Sequence, residues 1–248
     1  MKKRTLAAFA SLLLVGSVAF AGDHKAHWGY TGHEGPEHWG ELSPDYLMCG
    51  IGMNQSPINI TGSLDANLEP IAFDYKTKPN EILNNGHTVQ VNVAPGSSIT
   101  IDGTSYELKQ YHFHTPSENH IHNKDYPLEV HFVHADAKGN LAVVGVMFDM
   151  GEENKELAQL WEHMPMHGGD RSALSGVAEE LTALLPEARH YYRFDGSLTT
   201  PPCSEGVKWM VLETPLTISK AQVEKFAKAV HGTNNRPVQP INARVIVK

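Results

Sequence analysis

Alternation of apolar and polar positions dominates the middle of this chain, and a helical repeat marks parts of its later third. Val89, Val91 and Val93, then Ile99 and Ile101, then the run from Tyr106 to Thr115 show the two-residue period of half-buried strands. The runs PLEVHFVHAD (127–136) and LAVVGVMFD (141–149) are joined by AKGN, a glycine-containing connection of hairpin length, so antiparallel pairing is expected there. QSPINI (55–60) reads as a short turn into a strand. Leu157, Leu160, Trp161 and Met164 follow the i, i+3, i+4, i+7 repeat of a helix, as do Val223, Phe226, Ala227 and Val230. Ser219 and Gln222 supply a capping-box pattern at the head of the second repeat. Val177, Leu181 and Leu184 suggest a third helix. Gly22 to Trp39, rich in glycine and histidine, reads as an irregular arm. The expected fold is mainly β, of the α+β kind: one domain with a large, mostly antiparallel, twisted central sheet and short peripheral helices.

The N-terminus changes the picture. Lys2, Lys3 and Arg4 precede an apolar run from Leu6 to Phe20, which ends in Ala19-Phe20-Ala21, the pattern of a cleaved secretory signal. The run falls short of the ~20 residues that span a bilayer, and no later run approaches that length. Residues 1–21 are therefore expected to be a signal peptide and 22–248 one catalytic domain, exported to the periplasm or secreted. Losing the three cations would take the formal charge from −8 to −11, which argues against nucleic acid or anionic lipid as a partner. In an oxidising compartment the only two cysteines, Cys49 and Cys203, are expected to pair. Closing so long a loop would stabilise the fold by roughly 5 kcal/mol on chain-entropy grounds.

Candidate chemistry sits in QYHFHTPSENHIH (110–122), which holds two His-x-His pairs. With 15 histidines in the chain, about one such pair arises by chance, so spacing must be joined to context. On a strand, Gln110, His112 and His114 share one face while Tyr111 and Phe113 share the other. A third nitrogen must come from another strand, and LEVHFVH offers it. Parity alone admits His131 or His134. Glu129 favours His131, because a carboxylate beside a ligating imidazole can accept its other N–H, as Gln110 can for His112. His120 and His122 lie in a polar segment between Pro116 and Pro127, where a loop is expected. Three histidine ligands with no fourth protein ligand would leave an open position, the mark of a catalytic zinc ion.

These residues, with HWGY (27–30), GPEHW, QSPINI, NNGH, QYHFHTPSEN, EVHFVH, LAVVGV, GSLTTPP and NNRPVQPINAR (234–244), occur in the order found in one family. The chain resembles an α-class carbonic anhydrase of the bacterial exported type, over nearly the whole mature length. The short TPS between His114 and Glu118 is also of that type. The resemblance implies one Zn2+ on His112, His114 and His131, with Gln110 and Glu129 behind them. It implies that Thr199 accepts a hydrogen bond from a zinc-bound hydroxide and donates its own to Glu118. It further implies a CO2 pocket at Val133, Val143, Leu198, Thr200 and Trp209, and a proton shuttle at His87 whose waters are held by Tyr30, Asn85 and Thr200. The implied reaction is reversible hydration of CO2 to bicarbonate and a proton, open to sulfonamide and anion inhibitors. Cis bonds at Ser56-Pro57 and Pro201-Pro202 belong to the same pattern, and the family leaves room for a homodimer. It assigns nothing to His24, His27, His33 or His38, expected to be solvated residues of a mobile arm.

Two rival readings remain on the residues. A catalytically silent binding module of this family would be expected to lack one of the zinc histidines, and all three stand here with Glu118 and Thr199. A periplasmic zinc-binding protein built on the histidine-rich arm would take its metal there and turn over nothing.

Overall fold

Among the described residues the alternating segments join into one sheet of eleven strands, with a separate two-stranded pair. The computed structural model describes residues 26–174 and 180–248. The expected signal peptide, His24 and Val177 lie outside the described residues. In chain order the strands are β1 (Asn59–Ile60), β2 (Ala72–Asp74), β3 (Pro79–Asn84), β4 (Val89–Val93), β5 (Ser98–Ile101), β6 (Thr104–His114) and β7 (His120–Ile121). They continue with β8 (Leu128–Ala135), β9 (Leu141–Met150), β10 (Arg171–Ala173), β11 (Tyr191–Ser197), β12 (Glu205–Leu212) and β13 (Leu216–Ile218). The helices are α1 (Trp39–Leu42), α2 (Met48–Ile51), α3 (Lys155–Glu162) and α4 (Lys220–Ala229).

The main path of the sheet runs β10, β3, β4, β6, β8, β9, β12, β11. Pairing along it is antiparallel except where β12 meets β9, and β13 also joins β9 in parallel. The AKGN connection closes the β8–β9 hairpin as its turn residues require, with Leu128 opposite Phe148 and Ala135 opposite Leu141. Two cores form, one on each face. Tyr111, Phe113, Val130, Phe132, Val144 and Val146 belong to the larger core, into which α3 and α4 send Leu160, Trp161 and Phe226. Val143, Met147, Val207, Trp209 and Val211 belong to the other.

Strand β6 contains the decisive irregularity. Tyr106 and Leu108 lie in the same core as Tyr111 and Phe113, although an unbroken period of two would put them on opposite faces. The register with β8 shifts between Leu108 and Gln110, and this bulge turns the strand so that Gln110, His112 and His114 leave the larger core.

Helix α4 carries the expected box: Ser219 accepts from the Gln222 N–H while the Gln222 side chain accepts from the Ser219 N–H. In α3, Asn154 accepts from the Leu157 N–H. The third helical repeat is corrected. Among the described residues it yields only a short 3-10 turn at Leu181–Leu184, because Glu180 is extended and uncapped and Pro186 stops propagation. The arm also differs from expectation over residues 26–39. Trp39 is fully buried, its indole donates to the Gly29 and Glu34 carbonyls, and Trp28 and Tyr30 pack edge-on against it. The aromatic side chains anchor the segment, while His27 and His33 remain exposed. Cys49 and Cys203 form the expected disulfide beside this cluster. The peptide bonds Ser56-Pro57 and Pro201-Pro202 are cis, and so is Thr115-Pro116, which sequence reasoning did not anticipate. No helix among the described residues is long and apolar enough to cross a membrane.

Candidate metal centre

Antiparallel register brings the three histidines together. His112 on β6 lies directly across from His131 on β8, and His114 lies across from Glu129. One ring nitrogen from each of His112, His114 and His131 falls within 4.8 Å of the others. His134, one face away, instead points into the larger core, where it meets the Tyr75 hydroxyl at 2.8 Å and the Ala142 carbonyl at 3.2 Å. His120 starts the two-residue strand β7 and His122 sits in a turn with φ 52°, so neither joins the cluster.

Each imidazole is oriented by a neighbour. His112 Nδ1 donates to Gln110 Oε1 at 2.9 Å, and His114 Nδ1 donates to the Asn234 carbonyl at 2.7 Å. Both therefore present Nε2 to the cluster. His131 Nε2 lies 2.8 Å from Glu129 Oε1, which leaves Nδ1 facing its partners. Glu129 is fully buried and accepts from the Glu118 and Asn119 N–H groups, each at 2.8 Å, and from the Asn119 amide at 2.9 Å. Gly145, opposite His131 on β9, makes room for it, since a Cβ there would meet Glu129 Oε1 at 2.9 Å.

Burial sets the charge states. Desolvation, reinforced by the neighbouring rings, holds His112 and His131 well below the usual histidine range. It lowers His114 to about 4, with the Asn234 carbonyl pulling the other way. Neutral imidazoles with lone pairs aimed at one point are the form in which histidine binds a metal. His114 Nε2 is buried without a hydrogen-bond partner among the described residues. Burial likewise pushes the Glu118 carboxyl well up, against the Arg236 N–H and the Thr199 hydroxyl, which pull it down. Glu118 Oε2 lies 3.4 Å from His114 Nε2. A cation at the histidines would satisfy that nitrogen and favour the carboxylate, so the donor set fits a zinc ion.

His112 and His114 line a cavity of ≈140 Å³ together with residues that include Tyr30, Asn85, His87, Gln90 and Thr200. The Tyr30 hydroxyl is buried there without a partner among the described residues. Val133 and Leu198 pack with Val143 and Trp209 in the smaller core, and the Trp209 ring stands edge-on to His131 at 4.8 Å. His87 is half-buried at the rim, its pKa lowered by burial and by the nearby His27, and Trp28 stacks flat on it at 3.7 Å. A larger depression of ≈580 Å³ elsewhere, between Asp65, Arg189 and Glu213, holds no grouped metal donors among the described residues.

Sequence reasoning left three contributors unassigned. Besides orienting His114, Asn234 accepts from the Thr115 N–H and donates to the carbonyls of Phe113 and His87. Arg236, almost fully buried, donates to Gln55, to the Ser56 carbonyl and to the Cys49 carbonyl, while its N–H holds Glu118 Oε1 at 2.8 Å. Asn119 donates to Glu129 and accepts from the Ile58 N–H. Asn234 and Arg236 stand in the NNRPVQP stretch, but nothing local in it reveals that a backbone carbonyl orients a histidine 120 residues away.

Comparison with known proteins agrees with this geometry. A carbonic anhydrase of Klebsiella pneumoniae is 49% identical over 244 residues, covering 98% of this chain and 97% of that protein. One from Pectobacterium carotovorum is 46% identical over 239 residues, covering 96% and 98%. The structure of the α-carbonic anhydrase of Thermovibrio ammonificans, solved with the inhibitor sulfanilamide, superposes with a TM-score of 0.88 at 50% identity, covering 90% of this chain and 100% of that one. The sequence model of eukaryotic-type carbonic anhydrases matches residues 34–248, and the chain belongs to that family, the α-carbonic anhydrases.

Proposed function

We propose that this protein is an exported zinc enzyme that hydrates CO2 reversibly, with one Zn2+ held by His112, His114 and His131. The observation that carries the reading is the group of three ring nitrogens from half-buried His112 and buried His114 and His131, with His112 and His114 lining an open cavity and Glu118 beside His114. Bound there, zinc would supply Lewis acidity that makes water a nucleophile near neutral pH, the handiest known case being carbonic anhydrase itself.

The chain's own residues do the rest. Gln110, the Asn234 carbonyl and Glu129 fix the three ring orientations, so no reorganisation is needed when the metal enters. Thr199 donates to Glu118, so its oxygen is left to accept a hydrogen bond from the O–H of the attacking water, which orients that water toward CO2. Val133, Val143, Leu198 and Trp209 offer an apolar wall to a substrate that has no use for hydrogen-bond donors, with Thr200 at its edge. Tyr30, Asn85 and Thr200 hold the waters between the centre and His87, which carries the proton to the rim. Occupation of the cavity by sulfonamides and anions follows from the same donor set. The signal-peptide pattern read in the sequence of residues 1–21 and the Cys49–Cys203 disulfide support an oxidising, extracytoplasmic location.

Stopped-flow CO2 hydration on the mature chain tests the reading. Activity should vanish on chelation and return when one zinc per chain is restored. Turnover unaffected by metal removal would overturn it.

A further inference from the structure

The depression between Asp65, Arg189 and Glu213 has a volume of ≈580 Å³, against ≈140 Å³ for the cavity at the histidines, and shares no lining residue with it. Pockets that hold drug-sized ligands span roughly 300–1,000 Å³. One side is the segment from Asp65 to Pro70, and the other is formed by Arg189 and His190 before β11 and by Glu213 after β12. Tyr191 joins the two sides: it is buried in the larger core, and its hydroxyl donates to the Glu69 carbonyl at 2.9 Å. Leu68, packed against the same core, and Pro70 add apolar surface.

Charges of both signs line this pocket without pairing. Arg189 Nε donates to the Pro186 carbonyl at 3.2 Å, and the guanidinium lies over the Phe73 ring at 5.0 Å. Its terminal nitrogens make no hydrogen bond or ion pair among the described residues. A guanidinium held from behind in this way presents a planar fork that a carboxylate can meet with two parallel hydrogen bonds. On the other side, Asp65 Oδ1 accepts from the Asn67 N–H at 3.3 Å. Neither Asp65, Glu213 nor Lys248 takes part in an ion pair among the described residues. Unpaired opposite charges around apolar surface are complemented by a ligand that carries both charges and an apolar body.

We propose that this pocket binds a short zwitterionic peptide with apolar side chains, its carboxylate on Arg189, its ammonium group on Asp65 and its side chains over Leu68, Pro70 and Tyr191. Glu213 and Lys248 balance each other in charge, so the rim as a whole favours a ligand with no net charge over a simple anion or cation. Because the pocket and the metal centre share no residue, occupation leaves CO2 hydration untouched.

The test is calorimetric titration of the zinc-loaded enzyme with the dipeptide Leu-Phe at low salt. The parent should show one saturable site per chain. Arg189→Gln and Asp65→Asn should each weaken binding about tenfold or more, since each removes a charge-assisted hydrogen bond, while CO2 hydration stays at the parent's rate. Blocked peptides assign the ends. N-acetyl-Leu-Phe, which lacks the ammonium group, should bind weakly and equally to the parent and to Asp65→Asn. Leu-Phe amide, which lacks the carboxylate, should bind weakly and equally to the parent and to Arg189→Gln. No saturable binding to the parent would overturn the proposal, as would binding that Arg189→Gln and Asp65→Asn leave unchanged. Binding lost in His87→Ala but kept in both pocket variants would also overturn it, by placing the peptide in the catalytic cavity.

Discussion

The two His-x-His pairs in QYHFHTPSENHIH share a spacing and almost nothing else. His112 and His114 end the longest strand of the sheet, flanked by β4 and β8, with a third histidine in register across from them. His120 opens a two-residue strand that pairs in parallel with β1, and the chain then turns at positive φ through His122 and Asn123. In one pair His114 is buried and His112 half-buried, and both rings are oriented, by Asn234 and Gln110. In the other pair His120 is half-buried and His122 exposed, its ring 3.4 Å from the Tyr192 hydroxyl. A motif of two ligands becomes a site only when a neighbouring strand supplies the third and buried acceptors fix the rings.

The largest effect should come from breaking the first pair's partnership. His131→Ala removes the cross-strand ligand and should abolish CO2 hydration, with a loss of zinc affinity beyond the ~10–100-fold typical of outer-shell changes. Hydration assays with zinc titration would check both. Retained turnover would mean that the pair does not depend on β8.

Glu129→Gln should be milder and should fall within that ~10–100-fold range in metal affinity, because it removes the charge behind His131 while keeping the volume. Competition with a chromogenic chelator measures it. An affinity equal to the parent's would show that the Glu129 contact is structural only.

Much of this contrast was legible in the chain. The faces of β8 follow from simple alternation, and the residue that Glu129 picks out, His131, is the one grouped with His112 and His114, because both lie in one unbroken strand. On β6 the same argument works only beyond Lys109. The bulge is visible in hindsight as a phase break, with apolar side chains at Tyr106 and Leu108 and then at Tyr111 and Phe113. The order in the arm was not legible, since Trp28 and Tyr30 take it from packing against Trp39 of α1 beside the disulfide, a contact with no local sequence pattern. Nor was Arg236, whose partners come from segments about 180 residues away. Long-range backbone acceptors leave no local pattern.

His134 sharpens the comparison from the far face. Burial holds its pKa down at about 3, against ~6.5 when unfolded. Between those values the unfolded chain binds a proton that the native state refuses, so stability falls as pH drops from about 6.5 toward 3. The slope from this one group is about 1.4 kcal/mol per pH unit at most. Urea unfolding of the chelated protein across that range should show a shallower decline in His134→Gln than in the parent. Parallel profiles would contradict the assignment.

At the smallest end, His120→Ala should leave CO2 hydration within error of the parent, because its ring has no place in the cluster. A clear loss of kcat/KM would mean that the second pair reaches the site after all.

Zinc per chain after exhaustive dialysis, measured on two double variants, tests the central claim most directly. His120→Ala/His122→Ala should retain one zinc per chain, and His112→Ala/His114→Ala should retain none. The reverse result, with metal kept when the β6 pair is removed and lost when the β7 pair is removed, would contradict the account.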